Sequence, residues 1–115
     1  MLKMKKKERL KSRGIEIIQI PKRENRVDLK LLIKELGKLE IDSILLEGGG
    51  TLNFAALNDN IVDKVVAFIA PKIIGGYNSK TPVEGKGFEK MSEAIILKDI
   101  KFKRFNDDIM ISGKI

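Results

Sequence analysis

Residues 44–55 read Ile44-Leu45-Leu46-Glu47-Gly48-Gly49-Gly50-Thr51-Leu52-Asn53-Phe54-Ala55, and the reading of this stretch decides the fold. A short apolar run ends in a carboxylate, turns on three glycines and enters a helix. Without Cβ atoms, the glycines let the backbone turn sharply and approach a ligand closely. The helix start near Thr51 offers N–H groups that lack an intrahelical acceptor and the positive end of a helix dipole, which suits a phosphate. Glu47 beside it supplies a polar contact. The spacing is neither GxGxxG nor GxxxxGK[ST], and no lysine follows the glycines. The same residues therefore serve equally well as a tight strand-to-helix connection that holds no ligand.

Upstream, Ile15 to Ile20 is β-branched and apolar and predicts a strand ended by Pro21. Lys22 to Arg26 reads as a loop, where Lys22 and Arg23 meet either a ribose 2′-phosphate or solvent. Asp28 is placed to start a helix extending to about Leu39, with Leu29, Leu32, Ile33, Leu36 and Leu39 on one apolar face. Ser43 to Leu46 predicts the next buried strand. Residues 15–46 thus form an expected βαβ unit with parallel strands, whose carboxyl ends are the usual place for a ligand.

Downstream, Thr51 to about Asn58 predicts a short helix stopped by Asn58-Asp59-Asn60. Val62 to Ala70 predicts a strand, and Lys72 to Gly76 an apolar piece opening into a mobile loop, Tyr77 to Gly87. Ala94 to Phe105 and Ile109 to Ile115 predict a C-terminal antiparallel hairpin across Asn106-Asp107-Asp108. The expected class is α/β: a mixed, partly parallel sheet with flanking helices. Residues 1–14 form a basic helical segment closed by Gly14, and residues 15–115 one partial nucleotide-binding domain.

Composition narrows the chemistry. The 115 residues suffice for one domain and hold neither cysteine nor histidine. That excludes disulfides, thiolate chemistry and His-dependent triads, and removes most transition-metal sites. A cofactor is then expected to carry any reaction while the protein binds and orients. The absence of cysteine and of a signal or membrane segment fits a cytoplasmic protein. The net charge of +7 is local: residues 1–14 contribute +6, and the rest is nearly balanced. This basic start carries no interleaved aromatics, so it reads as a solvated helix face and not as a nucleic-acid groove.

Several pieces occur in the order found in one family. Ile41 to Leu46 is followed by Glu47-Gly48-Gly49, the helix start Thr51-Leu52-Asn53, and then Val62-Asp63-Lys64-Val65. Phe68-Ile69-Ala70-Pro71-Lys72, Gly75-Gly76, Thr81-Pro82 and the terminal strand entered from Asp107-Asp108-Ile109 complete the series. Over residues 14–115 the chain resembles the C-terminal reductase domain of the bifunctional riboflavin-biosynthesis deaminase/reductase proteins, which has a dihydrofolate-reductase-like fold. The resemblance implies NADPH-dependent hydride transfer that reduces 5-amino-6-(5-phosphoribosylamino)uracil to its ribitylamino product. It implies a substrate contact at Glu47 and cofactor contacts at Gly48, Gly49, Gly50, Thr51, Leu52, Asn53, Phe54 and Ala55, with the catalytic residues unassigned.

The departures count as well. The family's early Ser/Thr-Leu-Asp-Gly-type motif, and its acidic residue followed by Asn-Pro and Arg, have no counterpart in this chain. Lys64 stands where an acidic residue is usual. The expected object is the cofactor-side half of a reductase, whether a truncated chain, a short reading frame or a partner to a missing half. A strand-rich piece of a larger sheet leaves unpaired edges, so a homo-oligomer, a dimer, is expected. The competing expectation is a non-catalytic α/β nucleotide-binding or assembly module.

Overall fold

The computed structural model describes residues 4–115. These divide between two compact units, Met1–Asp42 and Ser43–Ile115.

In the first unit, helix α1 (Met4–Lys11) is charged nearly all round and buries no residue. The expected start of this helix at Lys3 lies outside the described residues. The end of α1 is set locally: Gly14 N–H donates to the Lys11 carbonyl and Ile15 N–H to the Leu10 carbonyl, with Gly14 at φ 75°. This is the paired closure that a left-handed residue permits, and glycine adopts it at least cost. Strands β1 (Lys22–Arg23) and β2 (Arg26–Val27) pair across Glu24-Asn25. Both turn residues have positive φ (51° and 62°), the mirror-image turn whose twist matches a hairpin. The segment expected as a loop is therefore a minimal hairpin.

Helix α2 (Leu29–Lys38) begins where Asp28 accepts the Leu31 N–H at 3.1 Å. It ends through Glu40 (φ 60°) and Ile41, whose N–H groups return to the Gly37 and Leu36 carbonyls. Leu29, Leu32 and Leu36 lie half-buried on one face.

Helix α3 (Gly50–Asn58) opens the second unit's regular structure and closes in the same way, with Asn60 at φ 53°. Strand β3 (Lys64–Ile69) follows, then a short 3₁₀ turn at Met91–Glu93 and the hairpin β4 (Lys98–Phe105) and β5 (Asp108–Lys114). The sheet order is β3-β5-β4, antiparallel throughout, with Val66 opposite Ser112 and Ser112 opposite Lys101. Ser112 and Gly113 of the central strand are buried, as is Ala56 of α3. A Cβ on Gly113 would sit 2.9 Å from Leu97 Cβ. One outer strand, β4, carries Lys98, Lys101, Lys103 and Arg104 and a register shift beside Asp99 (φ 49°). The other, β3, is uncharged from Val65 to Ile69.

Three expectations need correction. Ile15 to Ile20 and Ser43 to Leu46 are not strands, and Leu45 is 82% exposed. Every ladder among the described residues is antiparallel, so the expected parallel pairing is not formed. A β-branched run carries strand propensity, but only a partner supplies the ladder. Lys72 to Gly76, expected to open into a loop, has no regular structure, and Ile73 is fully exposed.

Candidate functional site

The glycine turn delivers the chain into α3. Gly49 is the N-cap, extended at φ −70° and ψ 163°. Its carbonyl accepts the Leu52 and Asn53 N–H groups at 2.9 and 3.1 Å. The N–H groups of Gly50 and Thr51, at the first two helical positions, have no intrahelical acceptor.

None of Gly48, Gly49 and Gly50 has a positive φ, so conformation does not demand glycine at these positions. The three differ in what surrounds them. A Cβ on Gly50 would lie 2.6 Å from Glu84 Cγ and 2.7 Å from the Thr81 carbonyl oxygen, a contact no real side chain makes. A Cβ on Gly48 would lie 2.7 Å from Leu52 Cδ2 and 3.1 and 3.2 Å from its Cγ and Cβ. A Cβ on Gly49 would meet nothing within 4 Å. Nothing in the chain itself requires glycine at residue 49, and this residue lines a cleft of about 380 Å³.

One wall of the cleft is Gly48 to Leu52, and the other is Lys80, Thr81, Pro82 and Glu84. The second wall belongs to the segment expected as a mobile loop, and contacts with α3 hold it in place. Asn53 Nδ2 donates to the Pro82 carbonyl at 2.8 Å. Phe54 meets Phe88 edge-on at 5.5 Å between ring centroids, and Gly85 (φ 107°) passes close over Phe54. Within the segment, Thr81 N–H donates to Glu84 Oε1 and Thr81 Oγ1 to the Val83 carbonyl, both at 2.9 Å.

The structure thus gathers Gly48, Gly49, Gly50, Thr51 and Leu52 on the cleft. Asn53 and Phe54 lie behind it and support the opposite wall. Ala55 is half-buried and does not line the cleft, and Glu47 is exposed outside the lining. Lys80 and Glu84 were not reached from sequence as site residues. The signal for them was the Thr81-Pro82 pair, which marks a turn but not what the turn packs on.

The RibD C-terminal domain, as a family model, matches residues 2–111. The chain belongs to that family. Among curated relatives, this RibD C-terminal domain chain is similar to the riboflavin biosynthesis protein RibD of Actinobacillus pleuropneumoniae. The two are 40% identical over 108 residues, covering 94% of this chain and 29% of the relative. It is also 40% identical to the 2,5-diamino-6-ribosylamino-4(3H)-pyrimidinone 5′-phosphate reductase of Methanothermobacter thermautotrophicus, over 75% of this chain and 40% of that protein. The chain therefore spans less than half the length of these relatives. In structure it superposes on Acinetobacter baumannii RibD, form 2, with a TM-score of 0.79 at 23% identity, covering 93% of this chain and 28% of that one. The α/β, dihydrofolate-reductase-like fold is the fold of this RibD C-terminal domain. No helix among the described residues is long and apolar enough to cross a membrane.

Proposed function

We propose that this chain is the cofactor-binding part of a riboflavin-biosynthesis reductase, and that the cleft at the start of α3 receives the pyrophosphate of NADPH. When bound, NADPH supplies the hydride. The chain's own residues bind and orient it: Gly50 and Thr51 present N–H groups at the positive end of α3, and Gly49 leaves room for close approach. Asn53 and Phe54 act through the 80–84 wall that they hold. The observation carrying this reading is Gly49, a glycine required by neither conformation nor packing and open to a cleft. The donor set fits an anionic diphosphate.

The substrate proposed is a ribosylaminopyrimidine 5′-phosphate. The resemblance favours the 5-aminouracil form, and the relative from M. thermautotrophicus is named for the diaminopyrimidinone form. Glu47 is proposed as a substrate contact on the exposed approach to the glycine turn. The protein is proposed to act in the cytoplasm as a homodimer.

A second reading, a non-catalytic nucleotide-binding or assembly module, draws on Glu47 lying outside the cleft. The test is calorimetric titration of the chain and of Gly49→Val with NADPH, followed by reductase assay on both pyrimidines. The variant's backbone at φ −70° suits valine. Saturable binding that Gly49→Val abolishes without unfolding supports the cofactor cleft. Equal binding by both proteins removes it. Binding without turnover of either pyrimidine favours the module.

A further inference from the structure

Lys80 is the one cation lining the cleft. Its side chain is exposed, and it forms no ion pair or hydrogen bond with a described residue. Glu84 lines the same wall, but its Oε1 already accepts the Thr81 N–H, and its Cβ and Cγ lie against Gly50. The cleft is thus lined by one cationic residue with no partner among the described residues and one acidic residue held by its own loop. An ammonium beside helix N–H groups strengthens an anion site well beyond what the N–H groups supply alone, because a charge-assisted hydrogen bond is about twice as strong as a neutral one.

We propose that Lys80 is a cofactor-binding residue that contacts the dinucleotide's pyrophosphate from the wall opposite α3, with Glu84 opposing it to limit anion affinity. This rests on the cofactor reading of the cleft. It makes a prediction of opposite signs that packing alone would not produce. Lys80→Met removes attraction and weakens binding. Glu84→Gln keeps an oxygen for the Thr81 N–H, removes repulsion and tightens binding. Because the groups are solvent-accessible, both effects shrink as salt rises.

The experiment titrates the wild-type chain and both variants with NADPH, NADH and inorganic pyrophosphate at low and high salt. Lys80→Met is expected to weaken all three ligands by about tenfold at low salt, and Glu84→Gln to tighten them by a few-fold. The two differences are expected to fall at least by half at about 0.5 M salt. Wild-type affinity in Lys80→Met overturns the role of Lys80 while leaving the cofactor cleft intact, provided Gly49→Val still abolishes binding. A loss confined to NADPH places the ammonium on the 2′-phosphate and overturns the pyrophosphate assignment. Absence of nucleotide binding by the wild-type chain overturns the cofactor reading itself, and Lys80 with it.

Discussion

Substituting Gly50 by alanine tests how closely the cleft's two walls must meet. The added Cβ would stand 2.7 Å from the Thr81 carbonyl oxygen and 2.6 Å from Glu84 Cγ, where ordinary contact begins at 3.4 Å. Glu84 can turn aside at the cost of its bond to the Thr81 N–H. The carbonyl is backbone and can move only with its segment, by about 0.7 Å, the difference between 3.4 and 2.7 Å. That shift strains the Asn53–Pro82 bond and the Phe54–Phe88 contact. Overpacking of this kind costs about 1–3 kcal/mol, and a weakened hydrogen bond about 1 kcal/mol more. Alanine's higher helix propensity returns up to about 1 kcal/mol. The net loss is about 1–3 kcal/mol, or roughly 4–8 °C in melting temperature per kcal/mol for a small domain. Far-UV circular dichroism gives the melt, and amide NMR shifts at residues 80–85 locate the disturbance. Gly49→Ala is the control, since its Cβ has nothing within 4 Å. A Gly50→Ala protein that melts with the wild type and leaves those amides unmoved refutes the reasoning, as does a Gly49→Ala protein that is equally damaged.

Other perturbations follow from local geometry. Glu40→Gly relieves a left-handed residue at the end of α2 (φ 60°) and is expected to stabilise the chain by about 1 kcal/mol in denaturant titration. A lower midpoint would contradict the assignment. Asp28→Ala removes the 3.1 Å cap on Leu31 N–H and costs about 1 kcal/mol, seen as faster amide exchange over the first turn of α2. Unchanged exchange would mean the cap contributes nothing. Phe54→Ala deletes the ring pair holding the second wall and costs about 2–3 kcal/mol. Its nucleotide affinity, measured on the folded fraction, should fall as well, and retained affinity would show that the wall stands without it. Gly113→Ala drives a Cβ to 2.9 Å from Leu97 Cβ and 3.2 Å from the Lys98 carbonyl, costing about 1–3 kcal/mol in thermal melts. A neutral result would mean that β4 yields at its register shift.

The parts legible in the sequence were those decided by neighbours in the chain. Asp28 caps α2, Gly14 and Asn60 end their helices, and the C-terminal hairpin turns at Asn106-Asp107. What failed was pairing. Ile15 to Ile20 and Ser43 to Leu46 have the composition of buried strands, but a ladder depends on residues far along the chain, which composition does not report. The Glu24-Asn25 turn was missed because glutamate has no preference for the left-handed conformation that it adopts there. In the site, the glycine turn was legible, but the division of labour within it was not. A Cβ on Gly50 would meet Thr81 and Glu84 while one on Gly49 would meet nothing, and the segment that makes this difference lies some thirty residues on. For the same reason the sequence did not single out Lys80 and Glu84 as lining a cleft.

The contrast between the sheet's two margins bears on how the chain behaves when crowded. Filament growth by strand addition needs an adhesive margin on each side, so that every newcomer offers a fresh one. Here β4 carries lysines and a register shift, both of which oppose strand addition, while β3 has neither from Val65 to Ile69. A copy added along β3 would therefore leave only lysine-bearing, kinked margins outermost, and such a stack would stop at a closed pair. Replacing Lys101 and Lys103 by threonine would weaken that stop, while Lys98, Arg104 and the register shift would remain.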